Sequence, residues 1–334
     1  MKTSIFIAIM VWLSFPLLAQ DYSFQNYKFD PSLQLSTVDT SYANDEEVIV
    51  LDKDIHEFVL TEDGLIEYVL EHKQIYVNSD KAIEENNKVY LPLSQSREVL
   101  EESCRIIKPS GEERVLNKDN IRQTSGEDDS EQYRYFAIDG LETGSVIEYF
   151  YIYRRAASYK GTYVTFQSSV PKQRVEFDII SPSHLIFRSK SLNGFPEGEA
   201  DTLEEGQNIL RFAADMVPAI ESEPYANVAA NSMRIVYKLA ENTYTGDNSM
   251  NSYAPIAQNV WNNTHATEKD ELKVIKKELK RLKLPKNSPI EDRIRAIENH
   301  LKYNFTHYDA SDERLSNIPF IVENKAYNQL GGVR

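Results

Sequence analysis

The residue types that could do chemistry are few in this chain, and the first to consider is its only cysteine, Cys104. A thiol becomes a nucleophile when a nearby basic group lowers its pKa. Arg105 cannot serve if the stretch Glu101–Ile107 is a strand, because successive side chains on a strand point to opposite faces. A single cysteine also cannot form an internal disulfide. We therefore expect Cys104 to be a structural residue.

Histidine is the next residue type that could bind a metal or act as a base. His56 and His72 fall on two consecutive predicted strands and could face each other across the connecting turn. A zinc site needs three or four protein ligands, and the spacing suggests no third one. We expect a hydrogen-bonded or solvent-exposed pair.

Carboxylates cluster in a predicted acidic loop, Ser125–Glu131, and again near the C-terminus. Asp128, Asp129 and Glu131 could gather Ca²⁺, but they lack the regular ligand spacing and the turn glycine of a calcium loop. The C-terminal group shows no ligand pattern and comprises His300, His307, Asp309, Asp312 and Glu313. We expect structural or solvated roles for all of them. The sequence thus predicts no catalytic residue, no cofactor-binding residue, no metal site and no cofactor.

The elements that would position any site belong to an acidic chain of ample hydrophobic content. Its 334 residues carry 37 Lys and Arg against 52 Asp and Glu, a formal charge of −15. This charge repels nucleic acid phosphates and anionic lipid, so we expect no nucleic acid partner. With 41% hydrophobic residues the chain can bury a core, and its length favours two or more domains.

Residues 1–20 have the features of a cleavable signal peptide. Lys2 gives the positive start, Ile5–Leu18 form the apolar run, and Ala19 supplies a small residue before Gln20 and Asp21. The run is shorter than the roughly 20 residues of a membrane-spanning helix, although a retained anchor is the alternative. No cysteine follows it, so lipid attachment as a lipoprotein is excluded. We expect a periplasmic or secreted protein without stable membrane insertion after signal removal.

The part from residue 46 to 240 shows the period-two pattern of β-strands, after an extended arm at 21–45. The stretch Tyr135–Tyr153 has strand-favouring runs on both sides of a polar break containing Gly140 and Gly144, which predicts a β-hairpin. Its second run is bulky on both faces, which indicates a central, doubly covered strand. Many short strands with turns between them predict an antiparallel β-sandwich.

The remaining residues change from a polar linker at 241–255 to a helical part at 256–334. Thr267 with Asp270 is expected to cap a helix over Glu268–Lys283, and Ser288–Glu291 forms a capping box for the next one. The second helix has apolar residues spaced 4-3-4, namely Ile290, Ile294, Ile297 and Leu301. Because such a stripe must bury against something, we expect a compact domain here. The predicted class is mainly β with a helical C-terminal part.

One motif in the β part carries a family resemblance. Asp139–Tyr149, DGLETGSVIEY, resembles the GL-x-x-G-S-x-I-E-Y signature of the DUF3857 family, a β-rich domain of exported bacterial proteins. Upstream, Ile107–Glu112 resembles the P-x-G turn of the family, with Ser110 where Asp is usual. The resemblance covers roughly Glu46–Met216. It implies the fold and almost nothing about activity.

The C-terminal part resembles the opening of the transglutaminase-like domain that usually follows a DUF3857 domain. Ile290–Tyr308 is similar to the helix and strand that precede the active site of those enzymes, which use a Cys–His–Asp triad. The family places its nucleophile in a Gly-Asp-Cys turn, where this chain has Gly331, Gly332 and Val333. Valine has no nucleophilic atom, so the resemblance implies a fold without its catalytic residues.

We therefore expect a non-enzymatic interaction or scaffold module of the bacterial cell envelope, with a degenerate or truncated transglutaminase-like region at 256–334. The alternative is a fragment of an active acyl transferase or cysteine peptidase whose triad lies beyond residue 334. A further alternative is a β-sandwich that binds a glycan or peptide on its tyrosine-rich face, since aromatic rings can serve as stacking platforms. The expected partner is accordingly an unknown protein, peptide or glycan of the envelope.

Overall fold

The computed structural model describes residues 22–29, 38–62, 64–92, 97–125, 132–203, 206–221, 225–265, 267–285 and 287–333. The chain divides into two compact units, Met1–Met250 and Asn251–Arg334. The predicted signal peptide and the acidic residues Asp128, Asp129 and Glu131 lie outside the described residues. Within the described residues, no helix combines the length and the apolar character needed to cross a bilayer.

The first unit is built on an eight-stranded sheet, which we call the large sheet. Its strands, in spatial order, are β12 (Glu199–Thr202), β13 (Asn208–Val217), β10 (Lys172–Ser181), β1 (Glu47–Thr61), β2 (Gly64–Val77), β8 (Ser145–Ala156), β4 (Arg97–Ile107) and β5 (Glu113–Leu116). β1 and β10 pair in parallel, and every other described pair of this sheet is antiparallel. The prediction of a mainly β chain with a helical C-terminal part is confirmed.

Two three-stranded sheets cover one side of the large sheet, which we call the inner face. One contains β3 (Lys88–Leu91), β7 (Gln132–Ala137) and β6 (Ile121–Ser125); the other contains β11 (Leu185–Leu192), β14 (Arg234–Asn242) and β9 (Thr162–Thr165). The first packs on β2, β8 and β4, where Val69, Ile147 and Ile106 are buried. The second packs on β10 and β13. Short helices α1 (Asp80–Glu85) and α2 (Val228–Asn231) lie in connections.

The predicted hairpin over Tyr135–Tyr153 is wrong. β7 pairs with β3 and β6, whereas β8 lies between β2 and β4 in the large sheet. The connection carries the chain from the covering sheet to the large one, and its Gly140 and Gly144 take φ of +76° and +91°, as glycine permits. The central, doubly covered position expected for the second run is confirmed by β8.

The opposite side of the large sheet, its outer face, is covered by residues 22–29, which we call the arm. The arm carries an aromatic residue at every second or third position. Phe24 is buried beside Leu70 and Ile152. The Tyr22 ring stacks on Tyr68 with centroids 4.5 Å apart. Because Leu70 and Val69 are adjacent on β2 yet bury in different cores, the strand alternation places the arm and the small sheets on opposite faces.

The second unit consists of short helices. They are α3 (Tyr253–His265), α4 (Lys269–Arg281), α5 (Ile290–Asn304), α6 (Ile318–Asn324) and α7 (Gln329–Val333), with the two-residue strands β15 (Thr306–His307) and β16 (Ala326–Tyr327) paired in parallel. The expected caps are wrong in detail. α4 starts with a capping box of Glu268 and Glu271, and α5 starts behind Pro289 without a side-chain cap.

Candidate functional site

Charged and tyrosine side chains form a belt across the inner face of the large sheet. Residues paired across neighbouring strands share a face, so the register defines two rows. The six residues of this polar belt are Asp52, Lys73 and Tyr149 in one row and Asp54, Glu71 and Tyr151 in the next. β1 carries the two aspartates. It lies between β2, which packs against the sheet of β3, β7 and β6, and β10, which packs against the sheet of β11, β14 and β9.

Asp52 is the neutralised carboxylate of the belt. It is buried, accepts a hydrogen bond from Lys172 and lies 3.4 Å from the ammonium nitrogen of Lys73. Burial opposes its charge, but the two lysines outweigh that effect and lower the pKa of Asp52. In turn, although burial opposes the ammonium, the carboxylate of Asp52 raises the pKa of Lys73.

Glu71 is held by tyrosine hydroxyls rather than by a cation. Tyr151 donates to one carboxylate oxygen, and Tyr153 donates to the other over 3.3 Å. Burial, and then the charge of Glu71, raises the pKa of both phenols. The rings of Tyr149 and Tyr151 are stacked, with centroids 6.2 Å apart. Because Tyr151 and Tyr153 are buried, the tyrosine face is not an open stacking platform.

Asp54 has no comparable partner. Its Oδ1 atom is buried and makes no hydrogen bond to any described residue. Burial, and then the nearby carboxylates of Glu71 and Asp52, raises the pKa of Asp54 well above the usual range. The belt is not sealed, because Asp54, Glu71, Lys73 and Tyr149 are each only half-buried. A buried acid of this kind is an indicator of a functional site.

A fully paired carboxylate lies close by on the same face. Glu67 accepts two hydrogen bonds of 2.9 Å from Arg155 and lies 2.8 Å from His56 Nδ1. Burial opposes its charge, but hydrogen bonds from His56 and Arg155 lower the pKa of Glu67 to about 2. His56 also lies 3.0 Å from the hydroxyl of Tyr237. Because its charged members are paired with one another, we interpret this group as a structural part of the inner face.

The expectation that His56 and His72 face each other is wrong, because they lie on opposite faces of the large sheet. In the β1–β2 register His56 is opposite Val69, and His72 is opposite Lys53. On the outer face, His72 Nδ1 lies 2.7 Å from the Tyr27 hydroxyl of the arm, and its Nε2 lies 2.9 Å from Glu148. The histidines therefore belong to two separate polar groups.

The outer-face group centres on Glu148, which is fully buried. Gln74 donates to it over 2.8 Å, and Arg105 donates to its second oxygen. The guanidinium of Arg105 also lies 4.7 Å from the ring centroid of Phe29 in the arm. Burial opposes the charge of Glu148, but hydrogen bonds from His72, Gln74 and Arg105 lower its pKa. Each carboxylate oxygen is thus occupied.

Cys104 is fully buried on the inner face, in the core between the large sheet and the sheet of β3, β7 and β6. It lies opposite Tyr149 in the β4–β8 register. Burial, and then the charge of Glu148, raises the pKa of the Cys104 thiol to about 12. A thiol in these surroundings carries almost no thiolate at neutral pH, and the thiolate is the nucleophilic form. Arg105 points to the other face and is bound to Glu148, so it does not activate the thiol.

In the second unit, a cavity of about 260 Å³ lies among the helices. Its lining is mainly aliphatic and includes His300, Gly331 and Gly332. His300 Nε2 lies 3.0 Å from Glu278, which also accepts a 2.6 Å hydrogen bond from Lys325. His307 and Asp312, which belong to the same C-terminal group in the sequence, do not contact this cluster. Asp312 accepts a hydrogen bond from the backbone of Arg314, and His307 is exposed. Val333 is 63% exposed on α7.

The expectation that the apolar stripe of α5 is buried is wrong for Ile290 and Ile294, whereas Ile297 and Leu301 line the cavity among the helices. Ile290 and Ile294 are 67% and 57% exposed, Leu301 is 38% exposed, and Ile297 is half-buried. Neighbouring in sequence, α3 also exposes apolar residues, namely Ile256, Val260 and Trp261. We call Ile290, Ile294, Ile297 and Leu301 the α5 stripe.

Within the described residues, no group of three or more His, Cys, Asp or Glu residues is arranged to hold a metal ion.

Comparison with known proteins finds a family match within the first unit. Residues 67–221 match the model of DUF3857, a domain of unknown function with a solved structure. No match was found among curated proteins. A crystal structure described as "a putative protease from Parabacteroides distasonis ATCC 8503" shares the fold, with a TM-score of 0.54 at 12% identity. The match covers 86% of this chain and 56% of that one, so this chain spans little more than half of its neighbour.

A second solved structure is more distant. Legionella pneumophila aminopeptidase A, in complex with aspartic acid, gives a TM-score of 0.33 at 8% identity, over 58% of this chain and 21% of that chain. A score this low supports no inference about the present fold.

Proposed function

We propose that this chain, whose residues 67–221 form a DUF3857 domain, is a non-enzymatic interaction module of the bacterial cell envelope. The observation that supports this most directly is the exposed α5 stripe. Its four apolar residues recur on one side of a 15-residue helix, and two of them are more than half exposed. Ile297 and Leu301 line the cavity of the second unit, so the free apolar surface of the stripe is that of Ile290 and Ile294. Exposed apolar surface marks protein interaction sites.

The stripe has the form of a helix-in-groove ligand. Its exposed members Ile290 and Ile294 lie one turn apart on one face of the helix, like the anchors of amphipathic helices that dock in a hydrophobic groove. The charged side chains of Arg293 and Glu298 lie beside the stripe and are exposed. They would form the polar rim of the contact.

Photo-cross-linking in the envelope fraction of the source organism tests this proposal. A benzophenone amino acid replaces Ile294 on the stripe or, as the matched control, Asn299 on the opposite side of α5. We expect a discrete adduct with a second protein from position 294 and none from position 299. Equal adducts from both positions, no adduct at all, or a cross-link from position 294 only within the chain would contradict the proposal.

A peptidase or acyl transferase is the second candidate, favoured by the fold shared with the structure described as a protease. Such chemistry requires a nucleophile within hydrogen-bond reach of a base. The buried Cys104 thiol, with its raised pKa, argues against this chain supplying one. Amine-incorporation and peptidase assays of the protein isolated from its source separate the two candidates, because turnover would favour the enzyme.

Placement in the envelope rests on the sequence of residues 1–20. If the signal peptide is removed, the mature protein begins near Gln20 or Asp21, directly before the arm. Mass spectrometry of the protein from the envelope fraction tests this, and an intact N-terminus at Met1 or Lys2 would contradict it.

A further inference from the structure

We propose that the polar belt is a binding site for a primary ammonium or guanidinium group, such as the side chain of a lysine or arginine residue in a peptide, and that Asp54 receives its charge. This site lies in the DUF3857 domain and is independent of the α5 stripe. The site would therefore give the chain a second function, and its test is independent of the test of the α5 stripe.

The charges of the belt favour a cation. The belt has three carboxyl groups, those of Asp52, Asp54 and Glu71, and the lysines beside them are Lys73 and Lys172, while Arg97 and Arg155 lie at its edge against the Tyr153 ring. Both lysines are committed to Asp52. Glu71 is bound only by neutral hydroxyls, and Asp54 lies directly opposite it in the β1–β2 register. Directly opposed side chains on paired strands have Cβ atoms about 5 Å apart, so a cation placed between these carboxylates would attract both.

The unpaired atoms of the belt match the donors of an ammonium group. An alkylammonium has three N–H donors and no acceptor. The belt offers Asp54 Oδ1 and Asp52 Oδ1, two buried oxygens without a hydrogen bond among the described residues, together with the carboxylate of Glu71 and the hydroxyl of Tyr149. Asp54, Glu71 and Tyr149 each keep some solvent exposure.

Binding is expected to release a proton. The titratable and charged groups around Asp54 are Asp52 and His56 on β1, Glu71 and Lys73 on β2, Arg97 on β4, Tyr149, Tyr151, Tyr153 and Arg155 on β8, Lys172 on β10 and Tyr237 on β14. In the free protein, burial and the neighbouring carboxylates raise the pKa of Asp54. A bound cation would favour the ionised carboxylate and displace its proton, so affinity should rise with pH.

Isothermal titration calorimetry of the full mature chain tests the proposal. The probes are Nα-acetyl-lysine amide and Nα-acetyl-arginine amide, with the neutral Nα-acetyl-norleucine amide as the matched control. We expect saturable binding of at least one cationic probe and a norleucine affinity weaker by about tenfold or more. Titrations in two buffers of different ionisation enthalpy should reveal proton release, and binding should be tighter near pH 8 than near pH 6.

Two variants tie the result to the belt. Asp54→Asn should abolish both binding and proton release, whereas Asp139→Asn, which changes an exposed aspartate, should change neither. Tyr149→Phe, which keeps the ring and removes the hydroxyl, should weaken binding several-fold and serves as the second test should Asp54→Asn fail to fold. No binding of either cationic probe, equal binding of the norleucine derivative, or unchanged binding by Asp54→Asn or Tyr149→Phe would overturn the proposal.

Discussion

At the scale of single residues, two carboxylates on the same face of one sheet have opposite surroundings. Glu67 is buried with an arginine, a histidine and a backbone amide as partners, so its charge is compensated. Asp54 is left with an unpaired buried oxygen beside two other carboxylates. A buried polar atom without a partner costs about 1–3 kcal/mol, and more when it is charged. Asp54 therefore destabilises the fold that contains it.

We expect Asp54→Asn to stabilise the free protein above neutral pH. The folded state holds the Asp54 proton more tightly than the unfolded chain, so folding free energy is lost as pH rises from about 4 towards the raised pKa. Asparagine removes this dependence. In urea unfolding followed by circular dichroism, the variant should gain at least about 1 kcal/mol near pH 8, and the gain should shrink as pH falls towards about 4.

Asp139→Asn is the control, since this side chain is 75% exposed and should leave stability almost unchanged. A destabilised Asp54→Asn variant would show that the Asp54 carboxylate is ionised and stabilised by partners in the folded state. A gain in stability that does not change with pH would show that titration of Asp54 is not its cause.

The second residue-scale prediction concerns Cys104. Because burial raises the pKa of this thiol to about 12, we expect native protein to react with a maleimide orders of magnitude more slowly than urea-unfolded protein. The labelling rate is followed by mass spectrometry. Fast native labelling, accompanied by catalytic turnover that disappears in Cys104→Ser, would show that the only thiol of the chain is active.

At the scale of elements, β8 contributes to a hydrophobic core on each face of the large sheet. It is central in the large sheet, and its alternating residues bury in cores on both faces, Ile147 inward and Ile152 outward. We expect Ile147→Ala to cost about 2–5 kcal/mol, as large-to-small changes in a packed core do. Val115→Ala, at a 59% exposed position on the edge strand β5, is the control. Urea unfolding in which Ile147→Ala costs under about 0.5 kcal/mol would remove it from the core.

The strands themselves could be predicted from alternation, but their partners only in part. Alternation identified β8 as central, yet it could not show that β7 joins a different sheet, because period two carries no information about pairing. The placement of His56 and His72 on opposite faces could have been predicted from the turn between their strands. A two-residue turn that pairs Thr61 with Gly64 fixes the register and puts His56 opposite Val69 and His72 opposite Lys53. Since neighbours on a strand alternate, two even-numbered residues then lie on opposite faces.

The polar belt had a weak signal in the sequence. Asp52 and Asp54 flank Lys53 within a strand that is otherwise rich in Val, Ile and Leu, so charges occupy both faces. Which of them is buried depends on cross-strand neighbours contributed by β2, β8 and β10 from distant parts of the chain. That long-range pairing, and the unpaired state of Asp54 that results from it, could not be read from local pattern.

At the scale of the whole molecule, the two units are built differently. The first buries hydrophobic cores on both faces of its large sheet. The second leaves much of its apolar periodicity exposed on α3 and α5. Helical periodicity predicted α4 and α5 but not the exposure of Ile290 and Ile294, because amphipathic spacing shows which side is apolar and not what covers it. The proposed function depends on this exposed surface.

Ile294→Glu tests that surface most directly. The chain has two tryptophans, Trp12 and Trp261. In protein produced from Asp21 onwards only Trp261 on α3 is present, so its fluorescence, with circular dichroism at the helix band, reports unfolding of the second unit. If the α5 stripe is free interaction surface, Ile294→Glu should change the free energy of unfolding by less than about 0.5 kcal/mol, the same as the control Asn299→Glu. A loss of more than about 2 kcal/mol confined to Ile294→Glu would show that the stripe is core and contradict the proposed function.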